Sequence, residues 1–309
     1  MSRSLPQANL IGGSMEKPVK NLEGRRSDFA DCSTMAKALG IVSAKEIGHN
    51  YYSFYTFLDR IKQMLTGKTP CMWLTRIDSE MFDDLIECRK FGSKAPKKQS
   101  KTFIKCFSYG FRESAAMWGL YCPPTYKAIR VTVSAAAMES LRDKQCFKIT
   151  SKKNIGTKIS TRKEFTDITY AAVKMNDDEV DRSNKLYWDG VFTQTMQKLE
   201  KDRRCAKAAG RIKDIEWSFE NEARLIATTR AEMSANHIVV ELSEKFIKSM
   251  RFTLSPWAND DEQSLVRGKI VAWLKVAGRS GVSSEDEDVF MKSTLKGALT
   301  KWAERRGLD

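Results

Sequence analysis

Histidine is scarce: the chain has only His49 and His237, and neither sits near a Cys or Asp in a metal-ligand spacing. A zinc centre is therefore not expected, and a histidine-based triad has no support. The seven cysteines (Cys32, Cys71, Cys88, Cys106, Cys122, Cys146 and Cys205) are odd in number and include no CxxC pair. Reduced thiols in a cytoplasmic setting are expected, not a disulfide framework. No apolar run reaches membrane-spanning length, and the N-terminus has no apolar leader segment, so neither a membrane partner nor secretion is expected. The GxGxxG, GxxxxGK[ST], HExxH and GxSxG patterns are all missing, which removes the common nucleotide-fold and hydrolase signatures.

What is abundant is positive charge. The 309 residues carry 53 Lys and Arg against 39 Asp and Glu, a formal net charge of +14. Such a surface attracts polyanions, because neutralised phosphates release condensed counterions. Nucleic acid, an acidic protein and a charged small molecule all remain open as partners.

The pattern along the chain predicts a basic, flexible arm over residues 1–45, broken by Pro6, Pro18, Gly12, Gly13 and Gly24, and one domain over 46–309. The arm could dock an inhibitor, such as an antitoxin or a chaperone. Residues 50–55 read as an aromatic strand, and Thr56 as the cap of a helix running to Leu65. Strands are expected near 71–74, 102–108, 128–133, 145–149, 166–174, 223–228, 237–242 and 250–254. Helices are expected near 113–121, 183–209 and 260–277. Strand and helix do not alternate regularly, so the fold class is α+β, a compact mixed sheet of short strands with surrounding helices.

Four polar clusters stand out. Phe82-Asp83-Asp84-Leu85-Ile86-Glu87 is either a charged helix start or a cleft-facing carboxylate, Asp83, that hydrogen-bonds a ribose or an arginine. Cys106-Phe107-Ser108 ends a strand in a hydroxyl, a turn residue or a ligand contact. Trp118 and Tyr121 fall on one helical face, for core packing or for stacking on a flat ring. Trp217-Ser218-Phe219-Glu220-Asn221-Glu222-Ala223-Arg224 leads into a strand. Its two-residue period puts Glu220 and Glu222 on one face. Carboxylates that close repel, which raises one pKa and suits proton or cation chemistry, with Trp217 as a shield from water. The bland alternative is an ion pair of Glu222 with Arg224 or Lys213, of little worth at a surface.

In this order the clusters resemble the bacterial domain of unknown function 2971, over about residues 50–296. Members show a Tyr-rich strand and helix, then Phe-Asn-Asp-Pro-Phe-Glu, Cys-Phe-Ser, Met-Trp-x-x-Tyr and Lys-x-x-x-Trp-x-Tyr/Phe-Glu-x-Glu-x-Arg. Here the last reads Lys213, Trp217, Phe219, Glu220, Glu222, Arg224. Asp83 stands for the usual Asn, Leu85 for Pro, and Leu120 for a frequent His. The layout is more distantly similar to ADP-ribosyltransferases of toxin–antitoxin and phage-defence systems. That likeness implies an ADP-ribosyltransferase-like fold and NAD as substrate, with nucleic acid as acceptor, RNA ahead of DNA, and no metal. It implies Glu222 as the catalytic carboxylate and Glu220 as the group orienting or deprotonating the acceptor. Tyr52 and Trp118 would stack on flat rings, Ser108 would fix the ribose or Glu222, and Lys213 or Arg224 would hold the pyrophosphate, with Asp83 and Tyr121 completing the site. Two other readings stay open: a non-catalytic nucleic-acid-binding effector using the basic segments Lys97–Lys105 and Lys144–Lys163, and a metal-dependent nuclease using Asp83, Asp84 and Glu87.

Overall fold

The computed structural model describes residues 51–77, 100–110, 112–122, 124–149, 155–171 and 210–297, all within the compact unit Ile47–Asp309. The expected arm, the Asp83–Asp84–Glu87 cluster, and the helix expected over 183–209 lie outside them. The described residues form a mixed α+β structure dominated by one large sheet.

The chain enters on strand β1 (Tyr51–Phe57), and helix α1 (Leu58–Leu65) follows without a break. Thr56 was expected to cap this helix. It remains in the strand, and the capping position is Phe57, whose side chain makes no cap hydrogen bond. The first turn is held instead by tertiary contact, with the Leu58 amide donating to the Lys127 carbonyl at 2.8 Å. Leu58, Ile61, Met64 and Leu65 share the buried side of α1, the helical spacing that a core-facing stripe requires.

Strands β2 (Cys71–Arg76) and β3 (Thr102–Tyr109) come next, then helix α2 (Ala115–Tyr121), strand β4 (Ala128–Ser134) and the short helix α3 (Ala135–Glu139). Strands β5 (Cys146–Ile149), β6 (Ile155–Ile159), β7 (Thr161–Asp167) and β8 (Thr169–Ala171) follow. The expected single strand over 166–174 is thus divided, and β6 and most of β7 lie in a segment read only as basic. Their few apolar residues, Ile155, Ile159 and Phe165, are set among Lys, Arg, Thr and Glu and are too sparse to read as a hydrophobic period. After β9 (Ile212–Asp214), a 3-10 helix (Ile215–Glu220) leads into β10 (Glu222–Thr229). The chain closes with β11 (His237–Glu241), helix α4 (Glu244–Ser249), β12 (Arg251–Leu254), helix α5 (Asp260–Val276) and β13 (Phe290–Met291). Asn259 and Glu262 form a reciprocal capping box at the start of α5, which satisfies two otherwise orphaned backbone amides.

Strand β3 organises the sheet. One edge pairs along its whole length with β10, from Glu222 opposite Ser108 to Thr228 opposite Thr102. The other edge is shared. β1 takes its C-terminal end, pairing Ser53 with Ser108, and β2 takes its N-terminal end, pairing Thr75 with Ile104. The two strands part between these points. β1 continues into β4, β12 and β13, β2 into β11, β5 and β6, and β7 lies beyond β10. All of these pairings are antiparallel except β12 with β13, and a separate parallel pair joins β8 to β9. One face of the β1–β3–β10 region is core, with Tyr52, Phe54, Phe107, Ala223 and Leu225 in a single apolar cluster. Alternation sends Ser53, Cys106, Ser108, Glu222 and Arg224 to the opposite face.

Candidate functional site

A cavity of about 310 Å³ lies where β1 and β2 fork from β3, at the lower end of the range for small-molecule sites. Its floor comes from β3 and β10, through Cys106, Ser108, Glu222 and Arg224. The 3-10 helix and β9 supply Glu220, Trp217 and Lys213, and α2 supplies Met117 and Tyr121.

The two carboxylates meet, though not as a strand period would bring them together. Glu220 ends the 3-10 helix and only Glu222 belongs to β10. Between them Asn221 has φ 45°, the left-handed region, which Asn tolerates better than most residues. That turn swings Glu220 back over the strand. Lys213 Nζ then reaches Glu220 Oε2 at 2.5 Å and Glu222 Oε2 at 3.5 Å, and lies 4.7 Å from the centre of the Trp217 ring. The Tyr121 hydroxyl donates to Glu220 Oε1.

Glu222 is held from the other side. Arg224 Nε donates to its Oε1 at 2.6 Å and Nη2 to its Oε2 at 2.9 Å, while Nη1 reaches the Gly210 carbonyl at 3.0 Å. Paired donors in this planar fork fix orientation as well as charge. Arg224 is wholly buried and Glu222 nearly so. The ion pair foreseen as a surface contact therefore sits where losing either partner strands the other.

Environment separates the pKa values of the two acids. Burial alone would raise Glu222, but the Arg224 charge and hydrogen bonds, with help from Lys213 and the Cys106 thiol, hold it below the ordinary carboxylate range. Burial raises Glu220, and the Glu222 charge adds to this. Hydrogen bonds from Lys213 and Tyr121 oppose the rise without cancelling it. The Tyr121 hydroxyl is itself raised, first by burial and then by its bond to Glu220.

Of the residues singled out in the sequence, Glu220, Glu222, Ser108, Tyr121, Lys213 and Arg224 are brought together here. Lys213 and Arg224 were expected on a pyrophosphate, but they are committed to the two carboxylates. Trp118 and Tyr52 are not brought to the cavity. Trp118 is fully buried, edge-on to Tyr55 and Trp257, with its indole N–H on Glu113 Oε1 at 3.0 Å. Met117 and Tyr121, four residues apart, face the cavity, and the border between cavity and core falls between Tyr121 and Trp118. Tyr52 is on the core face against Tyr109 and Phe165, because adjacent strand residues point to opposite sides and Ser53 takes the cavity side. Asp83 lies outside the described residues.

Some lining residues were given a different role in the sequence reading or passed over, Trp217, Cys106 and Lys105 among them. Trp217 was taken as a shield only, yet it lines the cavity together with Tyr121, and Phe54, Tyr55 and Phe107 line it as well. Cys106 was passed over as part of a strand end, though its position two residues before Ser108 places it on the same face. Lys105 was assigned to a basic surface stretch. It lies 4.8 Å from the Phe54 ring centre, and burial lowers its pKa.

The wall carrying Ser53 is braced by Arg130, which donates through Nη2 to Ser53 Oγ at 2.7 Å and to the carbonyls of Gly110 and Arg112. Ser53 in turn donates to the Gly110 carbonyl at 2.8 Å. Among the described residues no group of His, Cys, Asp and Glu is arranged to hold a metal ion, and no helix is long and apolar enough to cross a membrane. No protein-family model, curated protein or solved structure matches the chain.

Proposed function

We propose that the chain is an ADP-ribosyltransferase-like enzyme of the kind found among toxin and defence effectors, moving ADP-ribose from NAD to nucleic acid, with RNA the favoured acceptor. The observation that carries this reading is one cavity holding two carboxylates whose environments push their pKa values apart, the arrangement expected where one acts as a fixed anion and the other handles a proton. The resemblance of the Lys213–Arg224 run to the domain of unknown function 2971, and the more distant one of the wider layout, with Ser108 and Glu222 at strand ends, to ADP-ribosyltransferases, suggest the same reaction.

The residues suit NAD. Glu222 already meets two Arg224 donors, the Cys106 thiol and Lys213, so a ribose hydroxyl would reach it by displacing a longer contact such as Lys213 at 3.5 Å. Tyr121 and Trp217 replace Tyr52 and Trp118 as the rings that flank nicotinamide. The cavity accepts a ribose and one flat ring, with the rest of the dinucleotide extending outward.

In the reaction the bond between ribose C1′ and the nicotinamide nitrogen breaks, and its electron pair leaves with neutral nicotinamide. Glu222, already ionised and fixed, stabilises the positive charge that develops on the ribose without reorganising. An acceptor hydroxyl or base nitrogen bonds to C1′, and Glu220, whose raised pKa makes it the better base, takes the acceptor's proton. Lys213 holds Glu220 in place to receive that proton.

The test is incubation of the protein with labelled NAD and, separately, RNA, DNA and protein from a lysate. Label transfer with nicotinamide release, both lost in Glu222→Gln, is the expected result. Absence of both under every condition would remove the transferase reading and leave the binding-module one.

A further inference from the structure

A second concavity, a groove of about 670 Å³, opens at the other end of the strands that floor the cavity. Pairing fixes the relation between the two. Along β10, Glu222, Arg224, Ile226 and Thr228 point to one face. Their partners on β3 are Ser108, Cys106, Ile104 and Thr102, and those of the last three on β7 are Thr166, Glu164 and Arg162. The carboxylate end and the groove therefore share one sheet face, separated by the apolar patch of Ile77, Ile104 and Ile226. Six residues of strand at about 3.4 Å each put Thr228 roughly 20 Å from Glu222.

The groove is polar and basic. Arg162, Arg211 and Arg230 line it, with the hydroxyls of Thr102 and Thr228 among others. Among the described residues its one acidic lining residue, Glu164, is paired with Arg211. Arg162 and Arg230 are exposed, and among the described residues neither has an acidic partner. Arginine forks with threonine hydroxyls are the donor set that phosphate oxygens take. Two exposed guanidinium groups, with no acidic partner among the described residues, suit successive phosphates of a backbone.

We propose that this groove binds the phosphate backbone of a single-stranded nucleic acid and so leads the acceptor nucleotide toward Glu222. It rests on the transferase reading for the role of the strand but not for the binding itself. A single strand is required because a stacked, paired base cannot enter so small a cavity. At about 3.4 Å per stacked nucleotide, the 20 Å between groove and carboxylate corresponds to roughly six nucleotides, fewer if the strand is stretched.

The experiment measures binding of a fluorescent 12-nucleotide single-stranded RNA, the same sequence as DNA, and its duplex, over a series of salt concentrations. Wild type is compared with the double variant Arg162→Gln/Arg230→Gln. Both side chains are exposed, so the thermal midpoint is expected to hold. The expected result is a loss of affinity on the order of tenfold or more for the single strands, and a salt slope shallower by about 1.4, two contacts at about 0.7 each. Nicotinamide release without acceptor should be unchanged, which separates failure here from failure of the transferase reading. Unchanged affinity and slope in the double variant would overturn the proposal, as would displacement of the RNA by inorganic pyrophosphate at equal concentration, the mark of a plain anion site.

Discussion

Arg224 grips Glu222 from two residues further along the same strand, with both guanidinium contacts inside the protein. Neighbours at that spacing share a face, so the strand carries its own counter-ion to the acid. The pair orients one carboxylate and leaves the other, Glu220, to a separate set of partners.

Breaking this pair on one side should be costly in a way that removing both is not. Glu222→Ala leaves a buried guanidinium without its anion, and about 3–5 kcal/mol of stability is expected to go. Glu222→Leu with Arg224→Met should recover much of that loss in a denaturant titration while nicotinamide release stays absent. A double variant as unstable as the single would mean that the Gly210 contact, not the ion pair, dominates.

The two acids predict opposite responses to pH. Glu222 has a folded pKa below its unfolded value, so it stabilises the protein above the unfolded carboxylate pKa and that stability is lost as pH falls through the folded one. Glu220 has a raised folded pKa, so its contribution is present in acid and is lost as pH rises through that value. Thermal midpoints recorded from weakly acidic to neutral pH should fall less steeply with rising pH in Glu220→Gln than in wild type. Parallel curves would assign the carboxylates wrongly.

Tyr121→Phe deletes the hydroxyl that donates to Glu220. The anion loses a hydrogen bond, so the Glu220 pKa should rise further. The acidic limb of the pH profile for transfer is expected to move to higher pH, with the alkaline limb unmoved. A drop in rate with no movement of that limb would show that Tyr121 only shapes the cavity.

Trp118→Phe tests where the aromatic helix face ends. Trp118 is core, tied to Glu113, whose carboxylate also accepts from the Ser293 hydroxyl at 2.8 Å and the Thr294 amide at 2.6 Å. Its substitution should lower the thermal midpoint and leave the KM for NAD unchanged, whereas Trp217→Ala should raise the KM. The reverse pattern would restore Trp118 as a stacking residue.

The sequence was most legible where periodicity is strong. The strands at Ala128–Ser134 and His237–Glu241 and the helix at Asp260–Val276 follow their hydrophobic patterns. The Glu220–Glu222 pair could be picked out because the residues are close in sequence. The means of their convergence could not, since a single left-handed Asn carries no period. Tyr52 and Trp118 were misplaced for a related reason. Which face of an element meets a cavity is decided by what packs on the other face, here Phe165 for Tyr52 and Trp257 for Trp118. The fork at β3 depends on three strands distant in the chain, and no local pattern announces it. Arg162 fell within the basic Lys144–Lys163 segment, but its meeting with Arg230, which follows β10, depends on the pairing of β7 with β10, which no local pattern announces.

The fork has a consequence for anyone reading this protein through genetics. β3 is at once the strand from which both wings of the sheet hang and the floor of the cavity, so a lesion in it removes shape and chemistry together. Inactive alleles in Phe103–Tyr109 will look like misfolded protein in abundance assays. Informative alleles, those that leave the protein plentiful and silent, should instead gather at the cavity's rim, around Tyr121 and Trp217, where nothing else in the sheet depends on the side chain.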